Sequence, residues 1–231
     1  MTAAGLSINL RDRVAAVRGR IEAACARSGR DPGSVTLIAV SKTHPPGAVL
    51  AAWEAGITQF GENRVQEALA KMDALAATSG APGAASFHLI GHLQSNKVRA
   101  AAGRFAILHA VDSERSLRAI DAAATVPQRV MLEVNVAADP AKFGMPPALV
   151  RAILAVATTL PNVRVEGLMT VAPLVSNPED ARVYFRQLRQ LADEHGLPSL
   201  SMGMTGDYEV AIEEGATHVR VGRAIFGERI G

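Results

Sequence analysis

The chain has 231 residues, 48% of them hydrophobic, 20% charged and 4% aromatic, with 24 basic against 22 acidic side chains. That composition can bury a full core and excludes disorder, while the few aromatics and near-balanced charge argue against a nucleic-acid or membrane-surface role. One cysteine, Cys25, excludes an internal disulfide framework. With no secretory pattern and no apolar run near the ~20 residues of a membrane helix, the expectation is a cytoplasmic protein, built as one domain over residues 1–231.

A helix over residues 8–28 comes first: Ile8, Val14, Val17, Ile21, Ala24 and Cys25 recur at near-helical spacing, and Gly29 can end it. Eight strand candidates follow, at Val35–Val40, Ile57–Phe60, Phe87–Ile90, Ile107–Val111, Val130–Val136, Val163–Met169, Leu200–Met202 and His218–Val221. Helical patterns separate most of them, at Pro46–Ala55, Arg64–Ala77, Ser113–Ala124, Pro147–Thr158 and Glu179–His195, with shorter ones at Ser95–Ala102 and Asp207–Glu214. Thr78–Ser86 reads as a loop. Strand–helix alternation argues for a parallel sheet with helical crossovers. Eight repeats point to closure, so the expected α/β fold is a single (β/α)8 TIM barrel with an extra N-terminal helix. An open doubly wound sheet is the alternative, weakened by the lack of Gly-x-Gly-x-x-Gly after the first strand.

In such a barrel chemistry collects where strands end. The polar residues there are Lys42, Glu62 with Asn63, His92, Asp112, Asn135, Thr170, Ser201, and Arg220 with Gly222. With period two, Lys42 shares a face with Ile38 and Val40, so an inward strand carries an inward lysine. A desolvated lysine that loses its proton is a nucleophile toward carbonyls; the bland alternative is a lysine reaching solvent at the strand end. In the last strand Val219 and Val221 suit packing against helices, which turns Arg220 inward, where a guanidinium needs an anion or acceptor. Ser201–Gly206 and Gly222 form small-residue turns after strands seven and eight, the usual phosphate position of this architecture; two ordinary tight turns are the alternative. His88 and His92 have a His-x-x-x-His spacing, but one starts a strand and the other lies beyond it, so two hydrogen-bonded histidines are favoured over a metal site.

Lined up in order, Leu37–Thr43 (LIAVSKT), Phe60–Glu67 (FGENRVQE), His88–Lys97 (HLIGHLQSNK), Gly167–Thr170 (GLMT), Ser201–Thr205 (SMGMT) and Val219–Gly227 (VRVGRAIFG) span nearly the whole chain. In these segments the sequence resembles the pyridoxal phosphate homeostasis protein family, itself similar to the barrel domain of alanine racemase. The resemblance implies a fold type III barrel binding pyridoxal 5′-phosphate (PLP) as a Schiff base on Lys42, with Arg220 facing the pyridine nitrogen. It implies phosphate contacts from Ser201, Gly222 and Arg223, and places Asn63 near the cofactor. Three positions depart from the usual pattern: Arg64 for an aromatic, Thr205 for Ser, and Arg223 for Thr.

The resemblance implies a role in PLP storage, delivery or buffering, with apo PLP-dependent enzymes as recipients. An arginine opposite the pyridine nitrogen leaves it unprotonated and the ring a weak electron sink, so little or no catalysis is expected. The racemase's second base comes from another domain, which this sequence is expected to lack, and neither Tyr184 nor Tyr208 is an obvious substitute. A monomer is therefore favoured. A weak PLP-dependent racemase and a PLP-free Schiff-base aldolase barrel are the competing readings.

Overall fold

The computed structural model describes residues 3–78 and 85–227, with side chains from residue 9 onward. Eight short apolar segments form β1 (Thr36–Val40), β2 (Gln59–Glu62), β3 (Ser86–Leu89), β4 (Ile107–Val111), β5 (Gln128–Glu133), β6 (Val163–Met169), β7 (Ser199–Met204) and β8 (His218–Val221). Each strand pairs in parallel with the next, and β8 closes on β1 from Thr36↔His218 to Ala39↔Val221. The helices are α1 (Ala3–Arg27), α2 (Pro46–Glu54), α3 (Val65–Ala76), α4 (Val98–Ala101), α5 (Glu114–Ala123), α6 (Val150–Ala157), α7 (Arg182–Glu194), α8 (Tyr208–Glu213) and α9 (Arg223–Phe226). The expected (β/α)8 barrel with a leading helix is what the chain forms.

The main core lies between strands and helices. Outward residues such as Ala39, Phe60, Leu108, Val130, Leu132, Leu168, Leu200, Val219 and Val221 pack against the helices' apolar stripes. A smaller cluster lies inside the barrel: Ile107, Met131 and Met169 alternate with these outward residues, and Ala110 joins them through the irregularity in β4 between Leu108 and Val111. The helices after β7 and β8 are short, six and four residues. α1 compensates: it packs over α8, α9 and α2, burying Leu10, Val14, Val17, Ile21, Ala24 and Cys25. Arg20 and Arg27 fasten it to Glu209 and Glu213 of α8. It ends where expected, with Gly29 at φ +67° and the Arg30 N–H returning to the Cys25 carbonyl.

Several boundaries differ from the sequence reading, and three of them have a clear local cause. β2 starts at Gln59, not Ile57, because the Ile57 N–H bonds back to Ala52 at the end of α2. β5 stops at Glu133, not Val136, because Met145 returns: its N–H bonds the Glu133 carbonyl and its carbonyl accepts from Asn135. Residues 147–149 form a 3-10 turn, so α6 is shorter than the expected Pro147–Thr158 helix. The loop at Thr78–Ser86 lies largely outside the described residues. Among the described residues no helix is long and apolar enough to cross a membrane.

Candidate ligand pocket

The C-terminal mouth of the barrel begins with the turn after β1. Ile38 and Val40 face the interior, where a Cβ on Gly61 would lie 2.9 Å from Ile38 Cγ2 and 3.5 Å from Val40 Cγ2. Ser41 faces the other way: its hydroxyl donates to Glu62 Oε1 at 2.6 Å, and its carbonyl accepts from Lys71 Nζ at 2.7 Å. Alternation then returns Lys42 to the face of Val40, at the mouth. The next residue, Thr43, has φ +67°, a left-handed conformation that strains a β-branched side chain. Its N–H donates to Glu67 Oε1 at 2.6 Å.

Both flanks of Lys42 are thus tied to Glu62 and Glu67. Lys71 of α3 joins the two carboxylates, donating to Glu62 Oε1 and lying 3.7 Å from Glu67 Oε1. The Lys71–Glu62 pair is buried. Burial pushes the Glu62 carboxyl up, while its hydrogen bonds from Lys71 and Ser41 pull it down.

Arg220 forms the floor. Its Nη1 donates to Ser201 Oγ at 2.7 Å and its Nη2 to the Thr170 carbonyl at 2.8 Å. The Thr170 hydroxyl is itself engaged with the Val134 carbonyl. Among the described residues no carboxylate lies within 4 Å of this guanidinium, although it is 4% exposed. Burial pushes it down to about 10, and the charges of Glu133 and Asp207 pull it back up, so it stays cationic at neutral pH. Donors beyond the two in use remain for a ligand.

Among the described residues, Asn63 Oδ1 and Glu133 Oε2 at the strand ends are buried and without hydrogen-bond partners. The Gly91 backbone braces the Asn63 backbone so closely that a Cβ on Gly91 would sit 2.4 Å from the Asn63 carbonyl oxygen. Burial, then Asp112, push the Glu133 carboxyl up to about 7, while Arg220 pulls it down. On the far side the turns after β7 and β8 meet where the Gly222 N–H approaches Thr205 Oγ1 at 3.4 Å. Gly203 holds φ +89° there, and a side chain on it would collide with Tyr208 and Ala211 of α8. Arg223 opens α9 with its side chain exposed.

Of the strand-end residues singled out in the sequence, Lys42, Asn63, Thr170, Ser201, Arg220 and Gly222 belong to this mouth. Glu62 does not: it lies behind β1, paired with Lys71. Asn135 is spent on its own loop, bonded twice to Asp139. Ser201 is fully buried, and its hydroxyl lies between Arg220 Nη1 at 2.7 Å and His109 Nδ1 at 2.9 Å. His88 sits inside the barrel on His109 and Gln59, whereas His92 stacks on Phe143 with Asp112 at 3.7 Å. The two do not converge. Sequence reasoning missed Lys71, His109 and Glu133.

A closed parallel barrel with a lysine turn after the first strand and an arginine floor on the last defines the alanine racemase N-terminal class, whose family model matches residues 13–230. Against alanine racemase from Corynebacterium glutamicum the TM-score is 0.72 over 98% of this chain and 61% of that one, at 19% identity, a likeness of fold. The chain is 42% identical to the pyridoxal phosphate homeostasis protein of Aquifex aeolicus, across 96% of this chain and 99% of that protein. It is 38% identical, at TM-score 0.82, to PipY of Synechococcus elongatus, solved with PLP bound, across 94% of this chain and all of that one. The chain belongs to the pyridoxal phosphate homeostasis protein family.

Proposed function

We propose that this single barrel domain holds PLP covalently on Lys42 and serves to store, deliver or buffer it in the cytoplasm, with little turnover of its own. The observation that carries this reading is the Arg220 floor: a buried cation without a carboxylate partner among the described residues, facing a mouth whose rim bears the Lys42 turn. The donor set fits the group. PLP supplies an aldehyde that condenses reversibly with an amine and a ring that can draw electrons from the adduct. Lys42 is the amine, Arg220 takes the ring-nitrogen lone pair, and Asn63 contributes an acceptor. Thr205, Gly222 and Arg223 hold the phosphate, a set that also explains the small residues of both turns.

Low turnover follows from the same floor. A permanently protonated guanidinium leaves the ring nitrogen without a proton, and the electron sink is weak. Racemisation also needs acid–base groups on both faces of the substrate carbon. Tyr208 does not serve: its ring lies against α1, with the Arg20 guanidinium 5.2 Å from the ring centroid. Tyr184 lies along α7. Apo PLP-dependent enzymes are the natural recipients, and a monomer suffices for the role.

The test is uptake of added PLP followed by borohydride reduction and peptide mass spectrometry. The adduct is expected on Lys42 and lost in Lys42→Ala; labelling elsewhere, or none, overturns the reading. Incubation with a panel of L-amino acids, read by chiral chromatography, should show turnover far below about 1 s⁻¹.

A further inference from the structure

We propose that His109 and His88 are positioning residues of this pocket: two neutral imidazoles, each held in one tautomer, orient the Ser201 hydroxyl and through it the Arg220 guanidinium. The inference deepens the PLP reading and rests on it. Arg220 has only donors, so Ser201 Oγ accepts from Nη1 at 2.7 Å. Ser201 Oγ lies 2.9 Å from His109 Nδ1, and His109 Nε2 lies 2.9 Å from His88 Nδ1. His88 Nε2 lies 2.8 Å from Gln59 Oε1.

The placement of the Gln59 amide oxygen sets the direction of this relay. An acceptor there requires the proton on His88 Nε2. A neutral His88 then accepts at Nδ1, so His109 donates from Nε2 and accepts at its own Nδ1. The Ser201 hydroxyl supplies that last proton, which leaves its lone pairs turned toward Arg220. Every member has one consistent role. The chain runs through the barrel, from the pocket floor to the first residue of β2 at the opposite end.

Neutrality is built in. Burial holds His88 at about 3, with His218 and Arg129 adding to the effect, and burial holds His109 well below its usual value, with His88, His218, Arg220 and Arg129 adding to it. His218, at ring distances of 5.8 and 6.3 Å from the other two, bonds Thr217 through Nδ1 instead of joining the chain. Glu166 lies within reach of Arg129 at 2.6 Å and offsets its charge. A proton added to either relay imidazole would set donor against donor. Without the relay the Ser201 hydroxyl can rotate its proton toward the guanidinium, and Arg220 loses one of its two anchors.

Two readouts test this in the full chain. Histidine tautomers are read by long-range ¹⁵N–¹H NMR on protein without added PLP, and PLP affinity by equilibrium dialysis together with the position of the visible band. Both relay histidines should be protonated on Nε2 alone across about pH 5–8. His109→Leu should weaken PLP binding about tenfold and displace the band. His109→Asn, whose amide oxygen can take the Ser201 proton, should recover most of the affinity. Gln59→Leu, at the part-buried far end, should shift both tautomer signals and weaken PLP about threefold. Parental affinity and band position in both His109→Leu and Gln59→Leu overturn the proposal. So does a proton on His109 Nδ1. A parent chain that takes up no PLP overturns the pocket reading, and the tautomer measurement then decides the relay alone.

Discussion

Glu133 ends β5 with Oε2 buried and unpartnered, and its carboxyl sits at about 7 instead of 4.5. A carboxyl raised in this way keeps its proton in the folded state where the unfolded chain has lost it. Its stabilising effect is therefore complete below pH 4.5 and disappears as pH climbs through 7. Glu133→Gln keeps the shape without that loss. Urea denaturation should show the variant gaining on the order of 3 kcal/mol over the parent at pH 8 and almost nothing at pH 4. A variant weaker than the parent at pH 8 would mean that Arg220 depends on the carboxylate. The sequence carried the signal for Glu133 as clearly as for Lys42, since both close apolar strands on an inward face. It was hidden because the apolar run continues to Val136, and only the return of Met145 stops the strand early. His109 had no such signal: one histidine in Ile107–Val111 reads as an ordinary core residue until Ser201 and His88 are seen beside it.

The turn that carries Lys42 owes its shape to a different element. Lys71 occupies a position on the buried stripe of α3 with Val65, Ala68 and Leu75. A lysine on a helix normally reads as a solvated side chain, and its burial here depends on Glu62, a neighbour supplied by β2. Removing one partner of a buried pair strands the other charge. Lys71→Met should cost about 3–5 kcal/mol in denaturant unfolding. Adding Glu62→Gln should return part of that loss, so that the double variant falls short of the sum of the singles. Additive losses would show that the pair is not coupled. Thr43 makes the opposite prediction. Its left-handed φ is natural for glycine, so Thr43→Gly should leave stability unchanged or raise it by up to about 1 kcal/mol, while loosening the turn and slowing borohydride trapping of PLP at Lys42. A loss above 1 kcal/mol would show that the threonine side chain matters more than its strain.

Across the molecule, the alternation of strands and helices gave away the barrel, its closure and its extra helix, because that pattern is set by the periodicity of apolar residues alone. The composition of the barrel's interior was not legible, because it depends on which polar residues meet across strands that are distant in sequence. The consequence is measurable. Burial and the charge of Arg129 push His218 down to about 4 from 6.5. A depressed imidazole stabilises the fold above pH 6.5, and that benefit is lost as pH falls toward 4, because only the unfolded chain takes up the proton. His218→Gln should therefore lose less stability than the parent between those limits, by about 2 kcal/mol after allowing for its partial exposure. Identical acid unfolding curves would refute this. The seam between β1 and β8 bears on synthesis as well. Until β8 is synthesised, the first strand waits with one edge bare and the floor lacks its arginine. A chain without β8 therefore has neither a closed barrel nor the Arg220 floor, and the mouth takes shape only when that last strand docks.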